Sequence, residues 1–258
     1  MTKTIHFSTY SSIKIGPAID VFMIDSIMPL PQGYRLIGGA NNLLVSPTPP
    51  PLAMLDKTFD FIRIEEDGLL HIGGSTPSGK ILSFAKKNDL AHFELTQKLP
   101  GTLGGMVAMN AGLKEWEIFN HLHSIRTEKG WILKENIPHG YRFAQIDGII
   151  YEASFVIEKG FDLSLLEMFK KMRDNQPKEP SAGSCFKNPS GYFAGKLIDD
   201  VGFKGKRIGN MMFSNVHANF LVNCGGGTYA EAMELIQTVK KEVFERFNVK
   251  LEEEIIIL

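Results

Sequence analysis

The sequence predicts an α+β chain, and three observations carry that prediction. Up to Gly160 the strand signals dominate: apolar segments broken by Asp67-Gly68 and by Lys129-Gly130 read as two β-hairpins. Beyond Gly160 helical periods alternate with strands. The plainest helix covers 229–247. There Thr228 and Glu231 fit a capping box, and Ala232, Ile236, Val239, Val243 and Phe247 form one apolar stripe. A boundary near 160 follows from that shift, separating a region 1–160 from a region 161–258.

Taken in order, residues 34–38 read as a buried strand running into Gly38-Gly39-Ala40-Asn41-Asn42. Prolines at 47, 49, 50 and 51 make the next stretch a loop, because proline supplies no ladder donor. Ile81, Leu82 and Ala85 lie at helical spacing within 78–89, and a glycine-rich run, Pro100-Gly101-Thr102-Leu103-Gly104-Gly105, follows. Residues 149–160 read as the strand that closes the first region. Leu165, Phe169 and Met172 mark a helix that stops near Pro177. The chain ends on a predicted strand, 249–258. Its alternation sets Glu252 and Glu254 on one face and Glu253 on the other.

Composition narrows the function classes. Hydrophobic residues make up 43% and charged residues 22% of the 258, ordinary globular usage that excludes a largely disordered chain. A net charge of −1 without a basic run argues against nucleic acid as partner. No run of about 18 apolar residues exists, so no membrane span is expected. Two cysteines, Cys185 and Cys224, make no disulfide framework and point to a reducing, cytoplasmic setting. His121-x-His123 has no carboxylate or cysteine at ligand spacing, and HExxH is absent, so no metal is expected.

The chemical motifs, taken singly, stay open. The two glycine clusters, 38–42 and 101–105 with Asn110-Ala111-Gly112, suit a phosphate approached by bare backbone, or tight turns. Neither is the dinucleotide fingerprint or a Walker loop. Ser184, in Ala182-Gly183-Ser184-Cys185-Phe186-Lys187-Asn188-Pro189, reads as a nucleophile, a proton donor or a turn serine. It lacks the glycine two residues on that a nucleophile elbow needs. Arg142, in Gly140-Tyr141-Arg142, reads as a carboxylate clamp or a surface arginine.

The motifs nevertheless occur together in one order. In that order the chain resembles the UDP-N-acetylenolpyruvoylglucosamine reductase (MurB) family, from Ile13-Lys14-Ile15-Gly16-Pro17-Ala18 to the terminal Leu251-Glu252-Glu253-Glu254. The resemblance implies an FAD-binding fold of the vanillyl-alcohol-oxidase (PCMH) type over 1–160 and a substrate-binding α/β domain over 161–258. It implies an oxidoreductase acting on a CH–CH group. NADPH reduces FAD, and hydride passes to the enolpyruvyl group of UDP-N-acetylglucosamine enolpyruvate, giving UDP-N-acetylmuramate for peptidoglycan. By the same resemblance Arg142 holds the substrate carboxylate, Glu254 shares that stabilisation, and Ser184 donates the proton. Gly38, Gly39, Asn41, Asn42 and Leu43 match one flavin loop; Pro100, Gly101, Thr102, Gly104, Gly105, Asn110, Ala111 and Gly112 match the other. Tyr141, Arg173, Lys187 and Asn188 match substrate contacts, and the chain is expected to be a monomer. Two alternatives stand beside this reading: a flavin oxidoreductase of the same fold on another substrate, and a noncatalytic nucleotide-sugar or flavin binder.

The chain departs from the family pattern at four points. Ala40 and Asn41 replace a third glycine and a serine, so Ala40 is strained if its φ is positive. Lys114-Glu115 stands where the family often has an aromatic-glycine pair, and Ile256 where it often has arginine. The segment between Arg142 and Ser184 is too short for the tyrosine-bearing lid of longer members. The chain therefore resembles the short subtype.

Overall fold

The computed structural model describes residues 1–258, apart from the side chain of Lys98. The chain forms two compact units. The first comprises 1–3, 21–39 and 51–174; the second comprises 4–20, 40–50 and 175–258.

In the first unit an antiparallel sheet runs in the order Gly130–Leu133, Leu122–Thr127, Glu152–Phe155, Leu70–Gly73, Ile62–Ile64. Its register aligns Ile62, Ile72, Ala153, Ile125 and Ile132 in one row across the strands, and this row faces the core. Both hairpins form as predicted. Their turns use Gly68 at φ +77° and Gly130 at φ +110°, angles that a residue with a Cβ adopts only at a cost. Helices Ser78–Lys87, Leu103–Ala108 and Leu163–Met172 add Ile81, Ala85, Leu103, Met106, Val107 and Phe169 to that core. A smaller parallel arrangement sets Phe22 opposite Ala53 and Arg35 opposite Leu52.

In the second unit Ser181–Ser184, Phe220–Asn223, Met211–Phe213 and Arg207–Ile208 form an antiparallel sheet. Helix Tyr229–Phe247 shares its core. Its capping box is complete: Glu231 N–H donates to Thr228 Oγ1 at 3.2 Å, and Thr228 N–H donates to Glu231 Oε2 at 2.9 Å. The helix ends at Asn248, left-handed at φ 54°.

Three expectations need correction. The compact units part between Asp174 and Asn175, not near 160. Packing decides this: Phe169 is fully buried in the first core, edge-on to Trp116, while Ile13, Ile15 and Leu44 belong to the second core. The strand read over 34–38 shrinks to the edge strand Arg35–Leu36, both residues exposed, with Ile37 buried only beyond it. The predicted terminal strand shrinks to Ile256–Ile257, which runs parallel to Leu43–Leu44. A bend at Glu254–Ile255 breaks the alternation. Glu253 pairs with Lys240 (2.6 Å) and Glu252 lies 3.9 Å from Lys187.

Candidate active site

In the first unit a cavity of about 180 Å³ is lined by Gly38, Gly74, Thr102, Gly104, Gly105 and a wall of Leu36, Ile37, Met54, Leu55, Ala108, Ala144, Ile146 and Ile150. The glycines are there because backbone meets side chain and backbone closely. A Cβ on Gly38 would lie 2.9 Å from Thr102 Oγ1, and one on Gly104 would lie 3.1 Å from the Gly74 carbonyl. The Gly104 N–H already donates to that carbonyl at 2.8 Å, so it is not free to meet a phosphate. Pro100 and Gly101 shape the turn before helix Leu103–Ala108. Gly101 sits at φ +121° and its carbonyl accepts from Ser78 N–H.

Asn110-Ala111-Gly112, expected at the cofactor, makes a set of hydrogen bonds within the chain. Asn110 is fully buried at φ 43°. Its amide donates to Glu117 Oε2 at 2.7 Å and to the Gly140 carbonyl at 3.0 Å, and its Oδ1 accepts from Phe119 N–H at 3.3 Å. The Ala111 N–H is spent on the Met106 carbonyl. The Gly112 carbonyl accepts from Arg142 Nη2 at 2.8 Å. The run thus holds the Gly140-Tyr141-Arg142 turn at two points. Arg142 itself is left-handed at φ 55°, with its guanidinium 5.1 Å from the centre of the exposed Tyr141 ring.

Arg173 caps helix Leu163–Met172. Burial pushes its guanidinium down to about 10, and the positive charge of Arg142 adds to the effect. Its buried Nε has no partner among the described residues. In the first unit the charge of Arg142 thus acts on Arg173, and the two guanidiniums are chemically suited to an anion.

In the second unit a β-bulge places Ser184. The register shifts between Ser181 and Ser184 at Gly183, which stands at φ +84° with open space where a Cβ would be. The segment after it is clamped on both sides. Cys185 N–H donates to the Asn219 carbonyl at 2.7 Å, and Asn219 exchanges side-chain bonds with the Phe186 backbone. Opposite, Glu254 N–H donates to the Cys185 carbonyl at 2.9 Å and Lys187 N–H to the Glu252 carbonyl at 2.9 Å. Ser184 and Glu254 therefore sit on neighbouring, hydrogen-bonded segments.

The loop 40–44 braces Glu254. Asn42 Nδ2 donates to the Glu254 carbonyl at 2.9 Å, Ile256 N–H donates to the Asn42 carbonyl, and Leu43 pairs with Ile256. Asn41 Oδ1 accepts from Ser12 Oγ at 2.6 Å. Ala40 is buried at φ 53°, the strained conformation its departure from glycine predicts.

A second cavity, about 390 Å³, is lined by Ser184, Asn188, Phe193, Lys196, Lys204 and His217 among others. Asn188 Oδ1 caps the next helix by accepting from Ala194 N–H at 3.0 Å. Lys187 is not among the lining residues. Phe193, Lys196 and Lys204 were not legible as site residues; Gly195-Lys196 carried a weak signal, a lysine after glycine without the spacing of a phosphate loop. Burial pushes the His217 imidazole down, and its Nδ1 accepts from Asn219 N–H at 3.2 Å.

The fold is of the α+β class, with a glycine-lined cavity in one unit and a serine- and lysine-lined cavity in the other. Residues 176–258 match the family described as UDP-N-acetylenolpyruvoylglucosamine reductase, C-terminal domain. The chain is 48% identical over 261 residues to UDP-N-acetylenolpyruvoylglucosamine reductase of Helicobacter hepaticus, covering 100% of this chain and 99% of that one. It is 45% identical to the enzyme of that name from Campylobacter jejuni, covering 98% and 99%. A solved structure, UDP-N-acetylenolpyruvylglucosamine reductase (MurB) from Thermus caldophilus, superposes with a TM-score of 0.85 at 25% identity, covering 100% of this chain and 98% of that one. The chain belongs to the UDP-N-acetylenolpyruvoylglucosamine reductase (MurB) family, and its fold is the FAD-binding PCMH type followed by the MurB C-terminal domain. Among the described residues no helix is long and apolar enough to cross a membrane.

Proposed function

We propose that the chain is an NADPH-dependent reductase of UDP-N-acetylglucosamine enolpyruvate, acting in the cytoplasm and giving UDP-N-acetylmuramate for peptidoglycan. The observation that carries this reading is the pair of guanidiniums, Arg142 and Arg173, in a chain of this family. Arg173, desolvated by burial, repelled by the charge of Arg142 and left with an unpartnered Nε, would be stabilised by an anionic ligand.

The residues fit FAD. The first cavity offers bare backbone at Gly38 and Gly105 and an aliphatic wall, and a Cβ at Gly38 would crowd it. Bound FAD supplies the hydride chemistry between NADPH and the enolpyruvyl group. The chain's own residues do the rest. Arg142 grips the substrate carboxylate through its planar fork, held in aim by the Gly112 carbonyl. As negative charge builds toward that carboxylate, a preorganised guanidinium lowers the barrier without reorganising. Ser184 Oγ gives a proton to the carbanionic carbon; a hydroxyl can do so because that carbon is far more basic. Glu254 shares in stabilising the charged state, and Tyr141, Arg173, Lys187 and Asn188 contact the nucleotide sugar.

Asn42 and Asn110 take a further role in this reading. Their amides are occupied by the Glu254 and Gly140 carbonyls, so we assign them as positioning residues for Glu254 and Arg142. The test is NADPH consumption by the FAD-loaded protein with and without the enolpyruvyl substrate. Consumption that does not depend on that substrate overturns the reading.

A further inference from the structure

The histidine that seemed to lack ligand partners in the sequence gains two in the fold of the first unit. His92 and His121 stack with ring centres 3.4 Å apart and planes 6° from parallel. His92 Nε2 lies 2.8 Å from Glu158 Oε2. One ligand atom from each of the three residues falls within 4.8 Å of the others.

We propose that His92, His121 and Glu158 bind a divalent transition-metal ion of the zinc class. A tetrahedral ion with bonds of about 2.0–2.1 Å to two imidazole nitrogens sets those nitrogens about 3.4 Å apart. The ligand atoms of the three residues already lie within 4.8 Å of one another, and because the stacked rings point their lone pairs in parallel, each ring turns out of the stack to bring its nitrogen to the ion. The third ligand has room to close in, since the Glu158 side chain is half exposed. The segments themselves are braced. Ala91 N–H donates to the Glu158 carbonyl at 3.0 Å, and Leu90 bridges Lys159. His121 ends the turn Ile118–Asn120. His92 is held at φ +74°, a strained conformation for a residue with a side chain. Lys134, whose Nζ is held by the Asn120 carbonyl, is the cation that opposes the ion.

Binding is simple coordination. The ion takes the place of the proton between His92 Nε2 and Glu158, and that proton moves to His92 Nδ1 or, from an imidazolium, to water. Water completes the fourth position, as three protein ligands leave one open.

The experiment is Zn²⁺ titration of the tag-free, full-length protein against a chromophoric chelator. The expected result is one ion per chain. His92→Ala and His121→Ala each weaken binding by at least about 10-fold, and Glu158→Gln does the same. His6→Ala, at an exposed histidine outside the cluster, leaves it unchanged. Co²⁺ in the wild-type protein gives the intense visible absorption of a tetrahedral site, a reading independent of whether any variant folds. The proposal is overturned by wild type that takes up no stoichiometric Zn²⁺, by histidine variants that bind like wild type, or by Co²⁺ that stays octahedral. None of these outcomes bears on the reductase reading.

Discussion

Asn110→Ala tests whether the second glycine-rich run positions Arg142 or merely contacts a cofactor. The side chain is fully buried and makes three hydrogen bonds, to Glu117, to the Gly140 carbonyl and from Phe119 N–H. Each contributes about 1 kcal/mol net. Asparagine also tolerates the left-handed backbone at φ 43° better than alanine, a further 1 kcal/mol or so. Together these predict a loss of about 4 kcal/mol, or about 8–16 °C in Tm for a chain of this size. Thermal melts without ligand measure it. The functional part is separate: with Gly140 released, the Arg142 turn loosens and substrate-dependent turnover falls, while reduction of bound FAD by NADPH stays close to wild type. A Tm drop below about 3 °C, or equal slowing of both half-reactions, refutes the reasoning.

The remaining predictions rest on other contacts. Ser184→Ala leaves flavin reduction by NADPH nearly intact and slows reoxidation by the enolpyruvyl substrate by about 10²–10⁴; stopped-flow of the two half-reactions decides it, and equal slowing removes the proton-donor role. Arg142→Lys loses the planar fork and lowers substrate-dependent turnover by about 10²–10³; wild-type kinetics would make Arg142 structural. His217 is half-buried and desolvation pushes its imidazole down, so the unfolded chain binds the proton more readily. Stability from this group is therefore present above about pH 6.5 and is lost as pH falls toward the lower folded value. Melts from pH 7.5 to 5.5 show this decline, and His217→Asn reduces it; an undiminished decline assigns the pH dependence elsewhere.

Where a few adjacent residues dictate conformation, the sequence was enough. The Asp67-Gly68 and Lys129-Gly130 turns, the Thr228/Glu231 capping box and the helix containing Phe169 all formed as read. The two-residue edge strand at Arg35–Leu36 was overread because an apolar run says nothing of how many neighbours a strand has. The unit boundary was misread because burial of Phe169, Ile13 and Leu44 in one core or the other is a long-range choice. In the candidate site the residues were legible as motifs, while the tasks of Asn42, Asn110 and Gly104 were not. The Asn42 amide donates to the Glu254 carbonyl, the Asn110 amide to the Gly140 carbonyl and the Gly104 N–H to the Gly74 carbonyl, pairings that no local pattern announces.

The sequence by itself determined the family, the order of the elements and the chemical types at the candidate site. Each of those is written in local spacing and order along the chain. Tertiary structure decided who meets whom. It gave Asn42 the Glu254 carbonyl across 212 residues and Asn110 the Gly140 carbonyl across 30. It brought the partly buried Arg173 under the influence of the Arg142 charge. It also gathered His92 and Glu158 around a histidine that had looked alone. Such pairings follow from packing two hydrophobic cores, which fixes every side chain relative to partners far away in sequence, and no local pattern carries that information.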